Sequence, residues 1–309
     1  MISFRYHLVT IVAVFLALGL GVVVGTTVID QGLVDRLEQQ TQDANANAAR
    51  ALERADELEG RVRRGDQLLD DFVARTIADR LLDDTFVLLT DDSTDGPTLE
   101  GVVADLGSGG ARVQAVVSTT PRLALEDEGA RTDLAAILGM PEDTEREKLQ
   151  AEAGQRLGER LAIGTRGSDD LLYDMLEAGF LAGGEGPGLR QADGGSLPEV
   201  GGPGQGLVVV SGGGPNPLVT PDGFLAPAAV EAADAGAQVA AVEPAKASIS
   251  MVAFVRGSEA DPILTVDNVE ESPGSLSLVL GLQDLLGAGQ GADYGFKQGA
   301  DAPYPSLAT

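Results

Sequence analysis

Leu207-Val208-Val209-Val210-Ser211-Gly212-Gly213-Gly214 is the stretch on which the fold turns: four apolar residues with no alternation, then an abrupt change to serine and glycine. A short, unbroken apolar run of this kind reads as a strand buried on both faces, as in a parallel sheet. Thr85-Phe86-Val87-Leu88-Leu89 has the same character and ends in Thr90-Asp91-Asp92. Each run is followed by a helical stretch, near 98–106 and 227–235, and then by a second strand. The openings of those second strands resemble each other. Gly110-Ala111-Arg112-Val113-Gln114-Ala115-Val116 parallels Gly236-Ala237-Gln238-Val239-Ala240-Ala241-Val242. Two βαβ-like halves predict an α/β domain, with a doubly wound and mostly parallel sheet, over 85–309. Helices are expected near 131–138, 145–161, 169–178 and 276–286, and strands over 249–255 and 263–266. Residues 183–206 hold ten glycines and read as a flexible surface loop, and the tail from Gly287 as irregular.

Upstream of Thr85 the period changes. With Val34 at position a, a seven-residue repeat places Val34, Thr41, Ala48, Ala55, Val62 and Leu69 at a. It places Leu37, Ala44, Ala51, Leu58, Gly65 and Phe72 at d. A stripe of that length predicts a coiled-coil stalk over 31–84. In a parallel homodimer Arg54 meets Glu59 of the partner helix and Arg61 meets Asp66, both pairs opposite in sign. Gly60 and Gly65 each cost about 1 kcal/mol of helix propensity, so a bend or break is expected there.

Upstream again, Leu8 to Ile29 is uncharged over 22 residues. As a helix it rises roughly 33 Å, enough for a hydrocarbon core of about 30 Å. The run exceeds the apolar stretch of a signal peptide and lacks a small-residue cleavage site, so residues 1–30 read as a retained transmembrane anchor. Arg5 and the terminal amine precede it while Asp30 and Asp35 follow. The N-terminus is therefore expected in the cytoplasm and the bulk of the chain outside it. Ala13, Ala17, Gly21 and Gly25 recur every four residues, a small-residue stripe suited to helix pairing.

Composition narrows the function. A net charge of −27 in 309 residues argues against nucleic acid and against anionic headgroups as partners. Without cysteine the chain has no disulfide, thiolate nucleophile or lipoprotein anchor. The one histidine, His7, lies at the membrane edge, which leaves the outer domain no imidazole for a triad or a zinc site.

Two loops at predicted strand ends are the candidate ligand sites, because doubly wound sheets bind there. The first holds Asp91, Asp92 and Asp95, and in it Asp91, Ser93, Asp95 and Gly96 match the opening of a calcium loop. The position that should hold a bidentate glutamate is Val102, however, and Pro97 sits at the seventh place, so a turn with acidic capping is the better reading. Gly212, Gly213 and Gly214 could cradle an anion with backbone N–H groups, but Pro215 and Pro217 follow and no Lys-Ser/Thr step is present. A Ser–Lys pair built from Lys246 with Ser248 or Ser250 is the one nucleophilic arrangement on offer. No reaction is named by any of these, and the chain reads as a non-enzyme without a cofactor.

The opening Met1-Ile2-Ser3-Phe4-Arg5-Tyr6-His7, the run Phe15-Leu16-Ala17-Leu18-Gly19-Leu20-Gly21-Val22-Val23-Val24-Gly25, Thr265-Val266-Asp267-Asn268 and Gly289-Gln290-Gly291-Ala292-Asp293-Tyr294-Gly295 together resemble the actinobacterial copper-transport protein B (MctB-like) family. The resemblance covers nearly the whole chain. It implies copper transport or homeostasis through an outer membrane, with copper as the metal concerned and no catalytic motif. Copper(I) favours thiolate, thioether and imidazole donors. The sequence offers no cysteine, His7 alone, and Met1, Met140, Met175 and Met251 in unrelated segments. Outer-membrane channels are closed barrels with aromatic girdles, whereas aromatics are 4% here and tryptophan is absent. The residues therefore favour an indirect role: a dimeric envelope scaffold or regulator that presents its α/β domain to a cell-wall partner protein.

Overall fold

The computed structural model describes residues 4–27, 31–165, 170–184, 188–190, 196–258, 260 and 262–306, with the side chains of 4, 26, 27, 31–35 and 190 outside the description. The chain divides into two units, Met1–Gln67 and Leu68–Thr309.

The first unit is helical. Helix α1 (Phe4–Thr27) carries the apolar run, and Arg5–Gly25 is long and apolar enough to cross a membrane. Helix α2 (Gln31–Ile77) follows. It passes through Gly60 and Gly65 without interruption, contrary to the expected break. Two favourable pairs span Gly60: Arg61 Nη2 lies 2.7 Å from Glu57 Oε1 and Arg63 Nη1 3.1 Å from Glu59 Oε1.

The second unit is α/β. Its strands are β1 (Thr85–Thr90), β2 (Arg112–Thr119), β3 (Leu181–Gly183), β4 (Gln205–Val210), β5 (Val239–Val242), β6 (Ile263–Val266) and β7 (Asp293–Tyr294). They form one sheet in the order β3-β2-β1-β4-β5-β6-β7. All neighbouring pairs are parallel except β2 with β3. The chain builds outward from β1 in one direction and, after β4, in the other. This leaves β1 and β4 side by side with Leu88 opposite Val208.

Alternation along each strand makes two cores. Val87, Leu89, Val209 and Ala241 face α4 (Glu128–Leu138), α5 (Arg146–Ile163), α6 (Leu171–Glu177), α7 (Leu225–Asp234) and α8 (Met251–Arg256). Phe86, Leu88, Val208 and Val242 face α3 (Gly96–Ser108), α9 (Ser272–Ala288) and the last turns of α2. The compact unit thus begins at Leu68, upstream of Thr85, because Val73, Ile77 and Leu81 belong to its core.

Helices α5 and α7 approach very closely. A Cβ on Gly154 would stand 2.3 Å from the Phe224 carbonyl oxygen, and one on Gly158 would stand 2.2 Å from that of Ala228. Only glycine allows this contact.

Three expectations are corrected. Residues 249–255 are not a strand, since Met251–Arg256 is helical. Ser250 Oγ accepts from Ala253 N as an N-cap, and Met251, Val252 and Val255 are buried while Phe254 is exposed, a helical spacing. Leu181–Gly183, antiparallel on β2, was too short to signal itself. Within 183–206, Leu197 and Val200 are buried, so its later part packs against the body, while 185–187 and 191–195 lie outside the described residues.

Candidate functional site

The reversal between β1 and β4 brings the two candidate loops together at the carboxyl ends of the strands. Asp91, the first residue after β1, is buried. Its Oδ1 accepts from Ser93 N (3.0 Å), Ser93 Oγ (2.8 Å), Thr94 Oγ1 (2.9 Å) and, across the sheet, Gly212 N (3.2 Å). Its Oδ2 accepts from Ser211 Oγ at 2.9 Å. Of the three glycine amides after β4, Gly212 N meets this carboxylate, while Gly213 N donates to Ser211 Oγ at 3.4 Å. The neighbouring glycines are closed off as well. A Cβ on Gly212 would fall 2.2 Å from Ser93 O, and one on Gly213 2.1 Å from the Ala247 Cβ. Gly214 N donates to Ser93 Oγ at 3.4 Å.

The remaining acids of the first loop have separate tasks. Asp95 caps α3, its Oδ1 accepting from Thr98 N at 2.8 Å, and those hydrogen bonds hold its carboxyl below the usual range. Burial, then the adjacent Asp91, push the Asp92 carboxyl up. No group of three or more His, Asp or Glu side chains suited to a metal occurs among the described residues. Asp91→Ala is expected to destabilise the second unit by about 2–3 kcal/mol, because it strips a buried hub from five hydrogen bonds and leaves the fully buried Ser211 hydroxyl without its acceptor. Chemical denaturation measures this.

The ends of β5 and β6 are closed by the tail. Glu243, fully buried, accepts from Ser250 Oγ (2.5 Å), Val252 N (3.1 Å) and Lys297 Nζ (2.7 Å). Asp267 accepts from Arg256 Nη1 (2.8 Å), Phe296 N (2.8 Å) and Lys297 N (3.1 Å). Ser250 is thereby committed to Glu243 and to capping α8, not to a Ser–Lys pair.

Sequence reasoning missed a buried ion pair elsewhere. Arg160 Nε and Nη2 meet the two oxygens of Asp170 at 2.7 and 3.0 Å. The same guanidinium donates to Val200 O and Leu197 O, and Leu197 N donates to Asp170 Oδ2. Burial alone would raise the Asp170 carboxyl, but Arg160 and the Leu197 and Leu172 N–H groups outweigh it and the net shift is downward.

The predicted pairing residues lie on single helices. Ala13, Ala17, Gly21 and Gly25 sit on α1, all exposed. On α2, Leu37, Ala48, Ala51, Ala55, Leu58, Val62, Leu69 and Phe72 are exposed, as are Arg54, Glu59, Arg61 and Asp66, while the Val34 side chain lies outside the description. At the foot of α2 two faces separate. Leu69 and Phe72 are 38% and 49% exposed, whereas Val73 and Ile77 are 4% and 2% exposed and enter the core.

A family model described as "Copper transport outer membrane protein, MctB" matches residues 1–305. The chain belongs to the MctB family. The Copper transporter MctB of Mycobacterium tuberculosis (strain ATCC 25618 / H37Rv) is 24% identical over 324 residues, spanning 97% of this chain and 98% of that protein. The protein of the same name from Mycobacterium leprae (strain TN) is 24% identical over 327 residues with the same coverage. None of these names describes an enzyme.

Soft donors are few among the described residues of this MctB-family chain. Met175 and Met251 are fully buried in the apolar core and Met140 packs against it, while His7 lies on α1 and Met1 is outside the described residues. Their thioethers fill space between helices, and the donor set does not fit a copper(I) site. Two segments that carried the resemblance, 265–268 and 289–295, flank the Asp267 lock, so much of that signal is architectural.

Proposed function

We propose that this MctB-family protein is a non-catalytic, single-pass membrane protein. In this reading α2 pairs with a second copy as a parallel coiled coil, and the doubly wound α/β unit is presented outside the cytosol to a protein of the cell envelope. Its part in copper homeostasis would run through that partner and not through metal bound by this chain. The observation that carries the reading is the split at the foot of α2. The helix docks on its own domain with Val73 and Ile77, and leaves Leu69 and Phe72, the last layers of the heptad seam, uncovered. A seam that its own fold does not use, flanked by Arg54/Glu59 and Arg61/Asp66 of opposite sign, is suited to a second copy. Arg5 ahead of the span and the acidic residues after it support the outward orientation. A barrel is disfavoured, because the described strands form one open sheet with helices on both faces.

The test uses full-length protein in nanodiscs. The chain has no cysteine, so a single introduced thiol reports unambiguously. Ala51→Cys, at d, should form a disulfide-linked dimer in high yield, while Glu53→Cys, on the outer face, should not. Equal yields at both positions would refute the parallel seam. Calorimetric titration with copper under reducing conditions should show no stoichiometric site. A micromolar site would instead restore direct metal handling.

A further inference from the structure

Where the last turns of α2 meet α3 and the start of α9, the fold forms an open cavity of about 270 Å³. Asp70 from α2, Asp105 from α3 and Glu270 from the β6–α9 connection line it, with Ser108, Ser272 and Ser275. Every charged side chain in that lining is a carboxylate. The apolar part of the wall is Val73, Ala74 and Ile77 on α2 itself.

Each acid has a limited set of partners. Ser272 Oγ donates to Asp70 Oδ1, and Ala245 N lies 3.0 Å from both oxygens of Glu270. Asp105 is the inner member. Burial pushes its carboxyl up to about 6, against a hydrogen bond from Ser275 that pulls it down. Beyond this cavity, the foot of the helix is held by Val73 and Ile77 in the core. Two backbone bonds follow it, Asp79 N to Ser108 O (3.3 Å) and Leu81 N to Gly109 O (2.6 Å).

We propose that this cavity is a proton-operated clasp: at acid pH it locks residues 70–77 of α2 onto α3 and α9, and toward neutral pH it loosens them as Asp105 takes on charge against the apolar wall that Val73, Ala74 and Ile77 of α2 supply. Docked, Asp105 keeps a proton that a solvated aspartate would already have lost. Docking therefore gains a contribution that is complete below pH about 4 and is lost as the pH rises through about 6. The clasp concerns contact between the helix and its own domain, so it stands whether or not the heptad seam is paired.

Hydrogen–deuterium exchange of the full-length protein in nanodiscs, at pH 4.5 and 7.5 and corrected for intrinsic rates, tests it. Protection of amides 70–77 should fall about tenfold at the higher pH. Asp105→Asn should abolish most of that change. Ser275→Ala, which removes the bond that lowers the Asp105 carboxyl, should move the transition to higher pH. Equal protection of wild-type 70–77 at the two pH values would overturn the proposal. So would a full pH response in Asp105→Asn or, should that variant not fold, an unmoved transition in Ser275→Ala. Amides 37–66 report separately on the seam, and their exposure at both pH values would count against pairing alone.

Discussion

Arg160→Ala should lower the stability of the α/β unit by about 3–5 kcal/mol, as removal of one partner from a buried ion pair generally does. The arginine meets both oxygens of Asp170 and two backbone carbonyls, at Leu197 and Val200. Its loss leaves a fully buried carboxylate facing a space that water does not readily fill. For a unit of this size about 1 kcal/mol shifts the melting midpoint by roughly 2–4 °C, so scanning calorimetry should record a fall of order 10 °C. Arg160→Lys should recover only part of it, because an ammonium cannot span two carboxylate oxygens and two carbonyls at once. The folded carboxyl of Asp170 is depressed. The pair therefore stabilises above the ordinary aspartate range, and its contribution is lost as the pH falls through the depressed value. Arg160→Ala should lose that acid-sensitive component. A midpoint within two or three degrees of wild type would show that the pair contributes little.

The second large effect has the opposite sign from what helix propensity alone would give. Gly158→Ala places a methyl group 2.2 Å from a backbone carbonyl oxygen of α7, and Gly154→Ala places one at 2.3 Å from another. Each change gains about 1 kcal/mol of propensity. But a carbonyl cannot swing aside as a side chain can, so α5 and α7 must part and the core between them opens. A net loss of about 2–3 kcal/mol is expected for Gly158→Ala, and the double variant should lose cooperative unfolding. Gly101→Ala on α3 is the control. Nothing lies within 4 Å of the place its methyl group would take, so it should raise stability by up to about 1 kcal/mol. If Gly158→Ala and Gly101→Ala shift the midpoint in the same direction, the close approach of α5 and α7 does not constrain the fold.

Much of the architecture was legible because it is written in local patterns. Unbroken apolar runs located β1, β4, β5 and β6, the Gly-Ala-x-Val likeness at 110 and 236 paired the two halves, and a period of seven located α2. Residues 249–255 misled because their apolar spacing suits either structure, and the hydroxyl of Ser250 decided it for a helix. The Arg160–Asp170 pair left no local trace, since its energetic weight comes from carbonyls at 197 and 200. The loop at Asp91 was found for the right reason, the ends of the strands, and its role was missed for a plain one. Ser93 and Thr94 supply three of its donors from within the loop, but Ser211 Oγ and Gly212 N lie 120 and 121 residues away, a distance over which pattern reading carries no information.

The carboxylate of Asp91 is a guest tethered inside its own host. A host that already holds hydroxyls and amides around a carboxylate is, with that side chain cut back to glycine, a small-oxyanion receptor in waiting. Formate or acetate added to such a trimmed protein should then restore part of the lost rigidity, a chemical rescue that would turn an architectural rivet into a sensor.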